Sequence, residues 1–79
     1  MKNPFLQLNK YSPRVHDNGQ VVVVNIPNIT RFHPEKQLND CGQWLGEWVT
    51  KIWFQSGYAV ITQQKTDYII EKINEYYRS

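Results

Sequence analysis

Apolar positions along the chain gather into blocks separated by polar and turn-forming residues. The plainest block follows Asn18-Gly19, the dipeptide that most readily takes the positive φ values of a tight hairpin turn, and consists of four consecutive valines, Val21 to Val24. β-branched side chains favour a pleated strand, and an unbroken run of them predicts a strand over 20–26 that is buried on both faces. Pro27 lacks a ladder donor and ends it. The opposing arm of the hairpin falls at 14–17, short and polar, as an edge strand or irregular ribbon. Ahead of it, residues 1–13 contain Phe5, Leu6 and Leu8, which fit either an additional strand or an extended arm laid over the core.

From His33 onward the spacing changes. Pro34 suits the first turn of a helix, with Glu35 complementing the dipole and His33 at the N-cap. Asn39 or Asp40 offers a later cap, since Asp40 with Gln43 resembles a capping box. At about 100° per residue, Cys41, Leu45, Trp48, Val49 and Ile52 lie within roughly 80° of Leu38. This stripe predicts a long helix that ends near Gln55 and is closed by Gly57. Gly42 and Gly46 would leave a groove on its flank, each at a cost of about 1 kcal/mol of helix propensity relative to alanine. A neighbouring element, or a partner, would approach the backbone there. "YAVITQQ" then reads as a strand, and Thr66 as the cap of a final helix over 67–77 with Ile69, Ile73 and Tyr76 on one face and Ile70 and Tyr77 widening it.

The expected fold is a small α+β domain spanning 1–79 in the order ββαβα, with the helices packed on one face of a small sheet. Its 79 residues allow one modest core, and 41% hydrophobic with 14% aromatic residues indicates a folded chain. A net charge of +2, from basic residues scattered along the chain, gives weak support for nucleic-acid binding. The single cysteine rules out an internal disulfide and an all-cysteine zinc site. Met1 is followed by no basic-then-apolar leader, and no apolar run exceeds the valines, so a cytoplasmic protein without a membrane span is expected.

The segment "CGQWLGEWVTKIW", residues 41–53, holds the only cysteine and all three tryptophans. In the helical reading Cys41 lies in the stripe as a small buried apolar residue; the competing reading makes it a nucleophile with His33 as base. His16, Asp17, His33, Asp40 and Cys41 match no compact metal-ligand spacing, and there is no nucleophile elbow or phosphate-cradling loop, so no catalytic residue, cofactor or metal is assigned. Trp48 falls in the core stripe, Trp44 and Trp53 beyond its edges, and Phe54 on the polar side. With Tyr68 and Tyr77 of the last helix, the candidate partner-binding residues are Trp44, Trp53, Phe54, Tyr68 and Tyr77.

The expected function is a non-catalytic protein-binding module, a regulator or inhibitor of the small kind that phages and mobile elements encode, with homodimerisation as an extension. The alternative is nucleic-acid binding through the hairpin and the Trp44 flank. On the helical reading, Trp48→Ala removes about 3–5 kcal/mol of stability in urea denaturation, whereas Trp44→Ala or Phe54→Ala removes no more than about 1 kcal/mol.

Overall fold

A computed structural model describes residues 3–12, 18–38 and 41–78. The valine block forms β2 (Val21–Asn25), which pairs antiparallel with β1 (Phe5–Asn9). Residues 5–9 are therefore a strand, settling the alternative left open for the N-terminal segment. The hairpin's first arm lies there, and the expected arm at 14–17 lies outside the described residues. Gly19, at φ +85°, stands where the chain re-enters the ladder, and backbone bonds from Gly19 N–H to the Lys10 carbonyl and from Lys10 N–H to the Gln20 carbonyl close it at 2.7 Å each. Burial is on one face only: Val24 is buried and Val22 half-buried, whereas Val21 and Val23 are exposed. A two-stranded ribbon has only one face against the core, so an unbroken apolar run overstates burial here.

The chain bends at Pro27 through a single 3-10 turn (Ile26–Asn28) and enters a second, three-stranded antiparallel sheet. Its strands are β3 (Ile29–Leu38), β4 (Trp44–Phe54) and β5 (Ala59–Thr62), in spatial order β3-β4-β5. The long helix expected from Pro34 to near Gln55 is thus a β-hairpin, and among the described residues the ββαβα order gives way to five strands followed by one α-helix. The stripe at helical spacing coexists with a period of two, in which Thr50, Ile52 and Phe54 alternate with Val49, Lys51 and Trp53. The β-branched and aromatic content of 48–54 favours strand, and two glycines and a proline disfavour helix. β5 adds the tertiary reason, because the long strand that hydrogen-bonds it is β4. Only Val49 and Ile52 of the supposed stripe are buried, on opposite faces; Leu38, Cys41, Leu45 and Trp48 are exposed.

Paired rows carry the core across the second sheet. Phe32, Ile52 and Val60 lie side by side on β3, β4 and β5, and this row packs against Leu6 and Leu8 of β1 and Val24 and Ile26 beyond them. The helix α1 (Thr66–Arg78) closes the core with Ile69, fully buried, and with Ile73 and Tyr76 half-buried one and two turns on. That face is as the sequence predicts, but Ile70 and Tyr77 point to solvent. Thr66 is the first helical residue and not the cap, since the Lys65 carbonyl accepts the opening bonds from Tyr68 and Ile69.

The two sheets join at one seam. Lys10 bridges Thr62, Tyr11 N–H donates to the Ile61 carbonyl, and Gln63 N–H donates to the Asn9 carbonyl. Behind this, the Asn9 and Gln64 amides bond reciprocally: Asn9 N–H donates to Gln64 Oε1 at 3.0 Å, and Gln64 Nε2 donates to Asn9 Oδ1 at 2.9 Å. Thr50, fully buried, donates from its hydroxyl to the Gln64 carbonyl at 2.8 Å and shares a 3.0 Å contact with the Thr66 hydroxyl.

Two register breaks shape the β3–β4 hairpin. Near its base Ile29 faces Phe54 and Arg31 faces Trp53, so Thr30 is an extra residue, and its hydroxyl donates to the Trp53 carbonyl at 3.3 Å. Near its far end Lys36 faces Trp48 and Leu38 faces Trp44, so Leu45, Gly46 and Glu47 oppose Gln37 alone. Gly46 sits in this bulge at φ +88° with open space around an added Cβ. In a helix, Gly46→Ala would stabilise by about 1 kcal/mol. In the bulge the left-handed conformation reverses the sign, and we expect a loss of about 1–2 kcal/mol by urea denaturation.

Candidate functional site

A strand of 11 residues such as β4 is about 37 Å long at 3.4 Å per residue, and the molecule's longest extent is 44 Å. The described core draws on Ile52 and Phe54 near the base of β4, whereas Trp44 to Trp48 lie beyond its reach. At that far end Leu38, Trp44, Leu45 and Trp48 are 41%, 50%, 52% and 46% exposed. Four large apolar side chains left half-exposed on one protruding feature mark it as a contact surface more than as a solvated tip.

The bulge orders this surface. On a regular strand, residues four apart share a face but stand about 13 Å from each other. The extra residues around Gly46 fold that distance up, so that the Trp44 and Trp48 rings meet edge to face with centroids 6.1 Å apart. Trp44 Nε1 donates to the Glu47 carbonyl at 3.0 Å, tying the indole to the bulge backbone. The Lys36 ammonium stands 5.2 Å from the Trp44 ring and 5.9 Å from Trp48, capping the pair with a cation. The base of this end is tethered by Tyr11, whose hydroxyl donates to the Leu38 carbonyl at 2.7 Å. Beside Trp48, a hollow of about 420 Å³ separates the bulge from the start of α1 at Thr66 and Asp67.

The five candidate residues read from the sequence do not form one site. Trp44 alone belongs to the hairpin end. Trp53 lies on the opposite face near the base, half-buried, with the Arg31 guanidinium 4.2 Å from its ring, the Lys51 ammonium at 4.7 Å and the His33 ring at 4.9 Å. Phe54 faces inward, packs against the core and stacks on Tyr58 at 6.4 Å. Tyr68 and Tyr77 are on α1, the former beneath Lys72 at 5.5 Å and the latter edge-on to Tyr76 at 5.0 Å. Trp48, assigned to the core on helical spacing, is the residue that spacing misplaced. Alternation through 48–54 sets Trp48 on the same face as Thr50 and Ile52, so its exposure follows from its distance along β4 from the core, which the sequence pattern does not show.

Cys41 is exposed in the turn between β3 and β4, so the buried packing role is corrected. His33 pairs across from Lys51, and about 17 Å of strand separates it from Leu38, the last β3 residue before that turn. A Cys41–His33 pair is therefore not assembled. His33 instead turns Nδ1 to its neighbour, donating to the Pro34 carbonyl at 2.9 Å. No helix among the described residues is long and apolar enough to cross a membrane.

The chain matches no family model, no curated protein and no solved structure. Functional inference therefore rests on these surfaces.

The strand assignment reverses the stability ranking that helical spacing implies. Trp48→Ala is expected to change stability by no more than about 1 kcal/mol, while Ile52→Ala, at a fully buried position, loses about 2–5 kcal/mol in urea denaturation. Exposure of Cys41 predicts that native protein is alkylated by iodoacetamide at a rate close to that of the urea-unfolded chain.

Proposed function

We propose that this protein is a small binding module that recognises another protein through the far end of the β3–β4 hairpin, with Trp44 and Trp48 as anchors and Leu38 and Leu45 around them. The observation that supports this reading is the half-exposed tryptophan pair beyond the core, whose rings meet across the Gly46 bulge. Tryptophan is the residue most enriched among the few that dominate interface energetics. Rings already fixed by each other and by a backbone hydrogen bond lose little rotamer freedom on binding. A module of this size that acts by occupying a surface fits a regulator or inhibitor.

One observation favours nucleic acid instead, the Trp53 ring bracketed by Arg31, Lys51 and His33 on the other face. Stacked aromatics among cations are what single-stranded nucleic acid requires. Charge counts against it, because Arg31, Lys36 and Lys51 between Ile29 and Phe54 are offset by Glu35, Asp40 and Glu47. The Trp53 ring is also already covered by its own cations.

The test is retention of proteins from native-cell extract on immobilised wild type and on the Trp44→Ala/Trp48→Ala double variant, with far-UV circular dichroism confirming the variant's fold. Specific retention lost in the double variant is expected; retention equal on both removes the hairpin end as the contact surface. In parallel, fluorescence anisotropy with a labelled oligo-dT is expected to show no binding at about 50 mM salt, whereas binding that weakens steeply toward about 200 mM transfers the function to the Trp53 face.

A further inference from the structure

Among the described residues, β1 and β5 meet at the Lys10–Thr62 bridge, and the outer edges of β2 and β3 differ in kind. β3 is the outer strand of its sheet, and its edge is guarded. Thr30 bulges, Pro34 has no N–H to offer, and the Pro34 carbonyl already accepts from His33. These are the devices by which sheet proteins block unwanted pairing. β2 carries none of them. Its sequence is four valines and an asparagine, without proline, charge or bulge.

Which backbone groups of β2 are unpaired follows from the ladder. The bonds at its two ends join Lys10 with Gln20 and Ile26 with Pro4, pairs that are in phase with Leu6–Val24 and Leu8–Val22. Bonded and non-bonded pairs alternate in an antiparallel ladder. Val22 and Val24 therefore turn their backbone groups toward β1, and Val21, Val23 and Asn25 turn theirs outward. Among the described residues, no strand pairs with that outer edge.

The outer edge lines a cleft of about 520 Å³. Residues 22–25 all contribute to it, which alternate side chains on one face cannot do; the cleft runs along the strand's edge. Its opposite wall is the tight β4–β5 turn, where Phe54 and Tyr58 stack and Phe54 N–H donates to the Tyr58 carbonyl at 2.9 Å. Gln55 N–H donates to the Asn28 carbonyl at 2.9 Å and fixes that wall to the 3-10 turn. Among the described residues, none that lines it is charged. Asn25 Oδ1 is buried and has no hydrogen-bond partner among the described residues, a state that an added donor would relieve.

We propose that this cleft binds an extended, uncharged segment of a partner polypeptide, which adds as a strand to the outer edge of β2 with its backbone bonded to Val21, Val23 and Asn25. Only a peptide backbone presents donors and acceptors at the two-residue period that this edge requires. Asn25 Oδ1 takes an N–H or side-chain donor of the segment. The Phe54–Tyr58 wall selects the occupant further. It stands across the cleft from the β2 edge, so a single segment is bounded on both sides, whereas β2 of a second copy carries β1 along its other edge. The bound segment is about five residues long, matching the roughly 17 Å of β2. This site is independent of the hairpin end and stands or falls separately from it.

The experiment is selection of displayed random heptapeptides on the intact protein, followed by affinity measurement on synthetic peptides and a backbone N-methyl scan of the best binder. Methylation is expected to weaken binding about tenfold at every second position and to leave the intervening positions within about twofold. Val23→Pro removes an outward N–H without breaking a bond to β1, and is expected to abolish binding. Asn25→Leu is expected to weaken binding several-fold while keeping or raising the thermal midpoint, a split that a purely structural residue does not give. Trp44→Ala/Trp48→Ala leaves peptide affinity unchanged. The proposal is overturned by failure of the selection to yield binders above scrambled controls, by a methyl scan without a two-residue period, or by full affinity in both folded β2 variants. A dimer of the protein alone that Asn25→Leu or Val23→Pro dissociates assigns the edge to a second copy and overturns it equally. Should Val23→Pro unfold, the methyl scan and Asn25→Leu decide.

Discussion

The seam where β1 runs onto β5 governs the rest of the architecture. Neither sheet alone encloses a core, since a two-stranded ribbon and a three-stranded sheet each have one apolar face that needs cover. Two backbone hydrogen bonds, Tyr11 to Ile61 and Gln63 to Asn9, form the Lys10–Thr62 bridge that joins them. The polar groups drawn inside by this crossing are paired: the Asn9 and Gln64 amides with each other, and the Thr50 hydroxyl with the Gln64 carbonyl and Thr66. Buried hydrogen-bonding groups left unmade are costly, so the network holds the sheets at one angle as well as one distance. It also places the first turn of α1, and with it Ile69 over the core.

Away from that seam the β4–β5 turn is held to the 3-10 turn through Gln55 and Asn28, and between it and β2 a cleft lined in part by Asn25 stays open. The far half of the β3–β4 hairpin is left uncovered as well. Beyond Val49, which is still buried, Trp48, Leu45 and Trp44 lie outside the core cluster and stay half-exposed. Both proposed binding surfaces thus lie at the margins of one small core.

They differ in the chemistry they offer. The hairpin end presents indole surface, ordered by a bulge and capped by a lysine, and it suits an apolar recess on a folded partner. The cleft offers backbone hydrogen bonds along an uncharged wall, and it suits a chain that is extended before or upon binding. Guarding of the β3 edge by Pro34, His33 and the Thr30 bulge sharpens the contrast, because pairing is suppressed at one edge and left open at the other.

Several elements are legible in the residues themselves. Asn18-Gly19, the valine run and the stop at Pro27 determine a strand and its boundaries through local backbone preference, and Ile69, Ile73 and Tyr76 determine the buried face of the last helix. The α+β class follows from these. The segment between Pro34 and Gln55 is different, because its apolar residues satisfy periods of 3.6 and of two at once. Local preference leans to strand through the β-branched and aromatic residues of 48–54, but periodicity does not rank the two, and the deciding hydrogen bonds are made to β3 and β5, up to 25 residues away in the chain (Ile29 with Phe54). With that choice went the locations of Cys41 and Trp48, which a helix buries and a strand exposes. Only the tertiary structure brought Trp44 and Trp48 into contact, through a register break that depends on how many residues β3 sets opposite β4.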